Sequence, residues 1–245
     1  MKNPFNNVCV VGAGFLGTQI ALLSANSGYK VTVYDTKASA FDDTYARLTT
    51  DFKNKKINPI IPWEKWDALK NSIAFSTDPA VALKDADLVV EAVFEELELK
   101  RKVFKMIGDN APEKAILASN SSSMPISRFE DSSGRPEKCI NTHFYLPLQG
   151  MNMTDLAAGK KTLPEVMKKG EEWIRSLGFI PLIVKKEILG FVFNNVWRAV
   201  KKQTLFMWGN GYADFRDMDR AWRIFTKMPF GPFAVMDSIG LDVVY

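Results

Sequence analysis

The stretch Val8-Cys9-Val10-Val11-Gly12-Ala13-Gly14-Phe15-Leu16-Gly17 decides the fold. Val8 to Val11 is a short apolar run, which reads as a fully buried strand. The glycine turn follows at once. Thr18 to Ser27 then reads as a helix with Ile20, Ala21, Leu23 and Ala25 on its inner side, stopped by Gly28. Lys30 to Asp35 reads as a second strand. Strand, glycine turn, helix and strand within about thirty residues form the βαβ unit of a dinucleotide-binding sheet. Gly12 allows the tight turn, Gly14 lets backbone approach a pyrophosphate, and Gly17 lets helix and strand pack closely. The helix N-terminus that follows offers unpaired N–H groups and a partial positive charge to phosphate, and Phe15 and Leu16 in the turn are candidate cofactor-binding residues. Asp35 closes the second strand, placed to accept both hydroxyls of a ribose. Its charge repels a 2′-phosphate, so NAD is expected over NADP, with the nearby Lys37 the one residue that argues the other way.

Outward from this unit the alternation continues. Helical patterns span Thr36–Lys56, Asp78–Lys84, Leu97–Asn110 and Pro164–Leu177. Strand patterns span Ile73–Ser76, Leu88–Phe94, Ala115–Ser119, Cys139–Phe144 and Phe179–Val184. From Gly190 the alternation ceases, and Phe191 to Trp208 is apolar on more than one face, as in a helix buried on several sides or at an oligomer interface. Another helix spans Met218–Thr226, and Pro229-Phe230-Gly231-Pro232-Phe233 turns the chain. The expected fold class is α/β: a Rossmann-type dinucleotide-binding domain over residues 1–188, then a smaller all-helical domain over 189–245 that serves substrate binding and dimerisation.

Composition narrows the class. The 245 residues are 47% apolar, 24% charged and 12% aromatic, which excludes disorder, and the 15 Gly and 12 Pro show no fibrous period. The net charge of +4 is too mild for the basic stripe of a nucleic-acid binder. No apolar run reaches the roughly 18–20 residues of a membrane span. Met1-Lys2-Asn3-Pro4 leads straight into the strand pattern, so no signal peptide is expected. Cys9 and Cys139 sit in apolar strand-like runs and read as core residues. Two cysteines and one histidine exclude a disulfide framework and argue against a metal site, and the expected compartment is the reducing cytoplasm.

That one histidine, His143, lies at the end of a strand pattern, where the carboxyl edge of such a sheet binds ligands. Histidine is the natural general base near neutral pH. With it stand Leu88-Val89-Val90-Glu91-Ala92-Val93-Phe94-Glu95 and Lys100, Ser119-Asn120-Ser121-Ser122-Ser123, Gly190-Phe191-Val192-Phe193-Asn194 and Pro229-Phe230-Gly231-Pro232-Phe233. In order and spacing, over essentially the whole chain, these motifs resemble the 3-hydroxyacyl-CoA dehydrogenases. The runs Ser119–Ser123, Trp222-Arg223-Ile224 and Gly231-Pro232-Phe233 lean toward the diketoreductase-like branch.

The resemblance implies roles. His143 takes the proton of the substrate 3-hydroxyl as hydride leaves C3 for NAD. Ser122 hydrogen-bonds the reacting oxygen, and Asn194 helps hold substrate against His143. Glu95 and Lys100 contact the nicotinamide-side ribose, with Asn120 and Ser122 also at the cofactor. The plainer alternatives are a turn former for Ser122, a helix-start residue for Asn194 and a solvated pair for Glu95 and Lys100. Two departures bear on the chemistry. The family's glutamate twelve residues after the histidine is Asp155 here, one methylene shorter, so direct contact requires the backbone to move in or a water to bridge. The family's H-F-F-N-P reads His143-Phe144-Tyr145-Leu146-Pro147, which removes an asparagine. Lys53, Lys55 and Lys56 are candidates for CoA phosphates, and Phe191, Trp197 and Met236 for an apolar pocket.

The leading expectation is NAD-dependent interconversion of a 3-hydroxyacyl and a 3-ketoacyl compound, with a CoA thioester as substrate. A reductase of free β-diketones or 3-ketoesters is the second reading, and a nucleotide-binding homologue that has lost turnover is the third. The family continues past Gly240-Leu241-Asp242 with further helices, so the helical domain here is expected to be short and to form a homodimer that covers its apolar surface.

Overall fold

The computed structural model describes residues 3–54, 60–145 and 152–240. It contains two compact units, Met1–Phe191 and Val192–Tyr245. The first is built on an eight-stranded sheet: β1 (Asn7–Val11), β2 (Lys30–Tyr34), β3 (Ala74–Ser76), β4 (Leu88–Glu91), β5 (Ile116–Ser119), β6 (Cys139–Phe144), β7 (Met153–Ala158) and β8 (Ile180–Val184). The strand order is β3-β2-β1-β4-β5-β6-β7-β8. β1 to β6 are mutually parallel, β7 pairs antiparallel with β6, and β8 is parallel to β7. The six parallel strands follow the doubly wound order whose reversal between β1 and β4 opens a crevice at their carboxyl ends.

Helices α1 (Phe15–Asn26), α2 (Ala40–Asn54), α3 (Trp63–Ser72), α4 (Pro79–Leu83), α5 (Leu97–Asn110) and α6 (Pro164–Ser176) cover the sheet. The buried side chains fall into two main clusters, one containing Val8, Val10 and Leu88, the other Cys9, Val11 and Val89. Successive residues of β1 and β4 thus point to opposite faces, and both faces are covered, which is why these strands read as unbroken apolar runs. Cys9 and Cys139 are buried free thiols, and burial pushes both up to about 12. The second unit consists of α7 (Phe193–Gly209), α8 (Phe215–Thr226) and α9 (Pro232–Ile239). Asp219 of α8 accepts the Phe233 and Ala234 N–H groups at 2.8 and 3.0 Å, filling the open donors at the start of α9.

β4 is shorter than its apolar run suggests. It ends at Glu91, whose Oε1 accepts the Val93 N–H at 2.8 Å, and the chain turns out so that Phe94 is 86% exposed. α3, β7 and α9 have no counterpart in the sequence-based expectation. α3 buries only Trp66, whose Nε1–H donates to Thr49 Oγ1 at 2.9 Å. Trp63, Trp66 and Leu69 recur at helical spacing and pack on the core.

Glu91 is also the hub of a buried brace. Lys100 Nζ on α5 donates to its Oε1 at 2.8 Å, and Ser119 Oγ at the end of β5 donates to its Oε2 at 2.6 Å. Lys100 is 1% exposed and Glu91 fully buried. Removing one member of such a pair leaves an uncompensated charge and typically costs about 3–5 kcal/mol. Lys100→Met should therefore lower unfolding stability by about that amount, with the double variant Glu91→Gln, Lys100→Met less destabilised. Denaturant unfolding checks this, and a loss below about 1 kcal/mol would show that the brace contributes little.

Candidate active site

The glycine turn folds as its spacing requires. Gly12 has φ +105°, and a Cβ there would lie 2.6 Å from the Ala92 carbonyl oxygen. A Cβ on Gly17 would lie 2.0 Å from the Gly12 carbonyl oxygen, so α1 can approach the turn this closely only without a side chain. Nothing lies within 4 Å of the Cβ position of Gly14, which is the N-cap of α1 and makes no side-chain cap. Open space in front of a helix start is what a pyrophosphate needs.

A cleft of about 890 Å3 begins at this turn and includes Phe15, Leu16, Asp35, Lys37 and Phe94 in its wall. Asp35 Oδ2 accepts the Ala13 N–H at 2.8 Å and Oδ1 the Lys37 N–H at 3.0 Å. The carboxylate thus ties the end of β2 to the glycine turn and lines the cleft beside it. Lys37 Nζ is paired with Asp43 Oδ2 at 2.8 Å, which neutralises the charge that would favour a 2′-phosphate. The open glycine, the helix start and the half-buried carboxylate fit a dinucleotide.

Around the end of β5 the predicted residues separate. Asn120 is buried, and its Oδ1 accepts the Phe144 N–H at 2.9 Å, pinning the end of β6 to the polar turn. Ser122 is exposed at that turn. Glu95 accepts the Ser121 hydroxyl, the Ser123 hydroxyl at 2.8 Å and the Ser123 N–H at 3.0 Å. Burial pushes its carboxyl up, but Ser121, the Lys100 ammonium and Ser123 together outweigh this and hold it below the usual glutamate range. Lys100 Nζ lies 3.2 Å from Glu95 Oε2. The pair is therefore not a solvated one: Lys100 is buried between the carboxylates of Glu91 and Glu95 and does not line the cleft.

His143 and Asp155 meet across the antiparallel pair. The register sets His143 of β6 directly opposite Asp155 of β7, with both side chains on one face. Nδ1 lies 3.1 Å from Asp155 Oδ2, and both residues are buried. The shorter carboxylate reaches the ring directly, because a cross-strand pair already brings the two backbones together. The contact fixes the tautomer: an ionised carboxylate only accepts, so Nδ1 carries the hydrogen and Nε2 keeps a lone pair. Phe191 stacks on the imidazole with 5.6 Å between ring centroids.

Two residues join this site that the motifs did not single out. The Tyr145 hydroxyl donates to Asp155 Oδ2. Ser121, which with Ser123 bonds Glu95, is the other. The signal for Tyr145 was a hydroxyl on the third residue of the family's H-F-F-N-P pattern, beside a shortened carboxylate. Asn194, Trp197 and Met236 belong to the second unit, Asn194 half-buried in the first turn of α7. Leu146, Lys55 and Lys56 lie outside the described residues, and Lys53 Nζ sits over the Trp63 ring at 5.6 Å.

Comparison with known proteins shows the family. The family description "3-hydroxyacyl-CoA dehydrogenase, NAD binding domain" matches residues 7–188, and "3-hydroxyacyl-CoA dehydrogenase, C-terminal domain" matches 190–245. A 3-hydroxybutyryl-CoA dehydrogenase of Clostridioides difficile is 31% identical over 241 residues, covering 97% of this chain and 84% of the relative. Among solved structures, a diketoreductase is 34% identical with a TM-score of 0.90, covering 99% of this chain and 86% of that one. The (S)-3-hydroxybutyryl-CoA dehydrogenase of Ralstonia eutropha is 29% identical with a TM-score of 0.86, over 97% and 83% of the two chains. With a glycine turn built for NAD and a histidine held by a carboxylate at the same edge of the sheet, the chain belongs to the 3-hydroxyacyl-CoA dehydrogenase family.

Proposed function

We propose that the protein interconverts the 3-hydroxy and 3-keto forms of an acyl-CoA thioester with NAD, and that His143 is the proton acceptor. The observation that carries this reading is the His143–Asp155 contact at 3.1 Å. With Nδ1–H donated to Asp155, Nε2 accepts the 3-hydroxyl proton, and the carboxylate stabilises the imidazolium that forms. Bound NAD supplies the hydride acceptor. Gly12, Gly14, Phe15, Leu16, Gly17 and Asp35 hold it, with Glu95, braced by Lys100, and Asn120 shaping the edge beyond. Ser122 and Asn194 are assigned to the reacting oxygen and to the substrate. Two buried free thiols suit a reducing cytoplasm. No helix of the described residues is long and apolar enough to cross a membrane.

The likeness to a diketoreductase and the loss of the family asparagine at Leu146 favour one second reading, reduction of an uncharged β-diketone or 3-ketoester. NADH oxidation with acetoacetyl-CoA beside an uncharged diketone separates the two. The intact His–Asp contact argues against the third reading, a homologue without turnover.

A homodimer through the second unit is part of the proposal. α7 buries none of its residues within the chain, and Val196, Phe206, Trp208 and Phe225 are exposed. An apolar surface of this kind is covered by a partner in a stable assembly. Light scattering at micromolar concentration should give twice the 27.6 kDa of one chain, and a monomer would refute the assignment. His143→Gln should lose about 10²–10⁴-fold in turnover while NADH still binds. A variant within a few-fold of the parent would remove His143 from catalysis. Asp35→Ser should narrow the preference for NADH over NADPH in fluorescence titration, and equal affinities in the parent would show that Asp35 does not meet the ribose.

A further inference from the structure

Asp155 Oδ2 carries more than the histidine. The phenol of Tyr145 donates to the same oxygen that faces His143 Nδ1. Tyr145 follows His143 by two residues, and along extended backbone that spacing puts both side chains on one face. Their rings meet edge-on with 4.4 Å between centroids. Tyr145 is 7% exposed and Asp155 fully buried. A buried phenol needs a partner for its O–H, and here that partner is the carboxylate of the proposed dyad.

The two departures from the family pattern at these positions are complementary. Tyrosine in place of phenylalanine adds one oxygen, and aspartate in place of glutamate removes one methylene. The number of heavy atoms around the imidazole is unchanged, but an apolar group has been exchanged for a hydrogen-bond donor aimed at the carboxylate. An aspartate carboxylate turns softly about its last torsion, which has broad, roughly two-fold wells. A second donor on Oδ2 fixes that plane. It also draws negative charge from the oxygen that supports the imidazolium, an effect amplified where water is excluded.

We propose that Tyr145 is a positioning residue for His143, and that Tyr145 and Asp155 work as a matched pair in place of the family's phenylalanine and glutamate. The inference rests on the reading of His143 as the proton acceptor. Tyr145 touches neither substrate nor cofactor in this role. It acts through Asp155.

The test is a cycle of Tyr145→Phe, Asp155→Glu and the double variant, with NADH binding followed by fluorescence in each. Tyr145→Phe should lower kcat about tenfold with KM nearly unchanged, because small misplacements of a catalytic group are costly. The acid limb of its pH profile for alcohol oxidation should move upward by about half a unit, since Oδ2 without the phenol holds the imidazolium more strongly. Asp155→Glu with Tyr145 retained crowds the hydroxyl and should lose about tenfold, whereas the double variant should return to within about threefold of the parent. A merely structural role would move neither the acid limb nor the coupling. If Tyr145→Phe is too unstable to assay, Asp155→Glu with and without the second change decides the matter. The proposal requires the double variant to be the faster. Tyr145→Phe with unchanged rate and unchanged acid limb, or losses that simply multiply in the double variant, would overturn it. His143→Gln with near-parent turnover would overturn the proton-acceptor reading and this inference with it. His143→Gln without turnover, beside a cycle that shows no coupling, would overturn the inference alone.

Discussion

The reversal of strand direction between β6 and β7 is the constraint on which the His143–Asp155 contact depends. Parallel neighbours are joined by a crossover of a dozen or more residues that returns the chain to the far end of the sheet. Facing residues in such a pair are therefore distant in sequence and held by different crossovers. An antiparallel return lets residues twelve apart stand opposite each other, with Cβ atoms about 4.5–5.5 Å apart. His143 and Asp155 are that pair. Their contact is set by backbone register rather than by side-chain reach, and this is why a methylene can be lost without losing the hydrogen bond. A slip of one residue would turn the two side chains to opposite faces. The ladder from Ile140–Ala158 to Phe144–Thr154 and the further pairing of β7 with β8 hold the register.

The cofactor side has its own anchor, the buried Glu91. Its two oxygens collect Lys100 from α5, Ser119 from β5 and the Val93 N–H from the turn after β4. Burying a carboxylate and an ammonium is expensive unless each is hydrogen-bonded, and here the geometry meets that condition. The brace sets where α5 begins and how the chain leaves β4, and so where Phe94 stands at the cleft. Asn120 then passes the constraint to β6 through the Phe144 N–H. One connected set of hydrogen bonds thus runs from the switch point of the sheet to the residue that follows His143.

The parts of the molecule legible in the sequence are those in which local chemistry and fold demand the same residues. The glycine turn is one, since Gly12 and Gly17 stand where a Cβ would collide with backbone. The apolar runs of β1 and β4 are another, because strands covered on both faces need no polar residue. β7 was not legible for the opposite reason. Met153 to Ala158 has no β-branched run, and its central Asp155 is singled out by its spacing from His143 and not as part of a strand. Lys100 reads from the family pattern as a cofactor contact, or plainly as a solvated partner of Glu95, and tertiary packing instead buries it against Glu91. Tyr145 differs from the family by a single oxygen, whose meaning depends on a second change ten residues away. Information of this kind resides in pairs of positions, and no motif read one residue at a time contains it.

The histidine also bears on how the first unit ends. Phe191 adopts φ +50° directly after Gly190 at φ +80°, so two successive residues sit in the left-handed region and one of them has a side chain. For a bulky residue that conformation costs on the order of 1–3 kcal/mol, and it persists only where the surroundings determine it. The Phe191 N–H donates to the Ile188 carbonyl at 3.2 Å, its ring is 1% exposed, and it lies on the imidazole of His143. Relaxing the backbone would swing this ring away from the imidazole and open a gap beside a buried His–Asp pair. The ring therefore offsets the backbone cost by packing, and it keeps water from a contact whose strength depends on a low local dielectric. The conformation of the last residue of the first unit is thereby set by the histidine it covers.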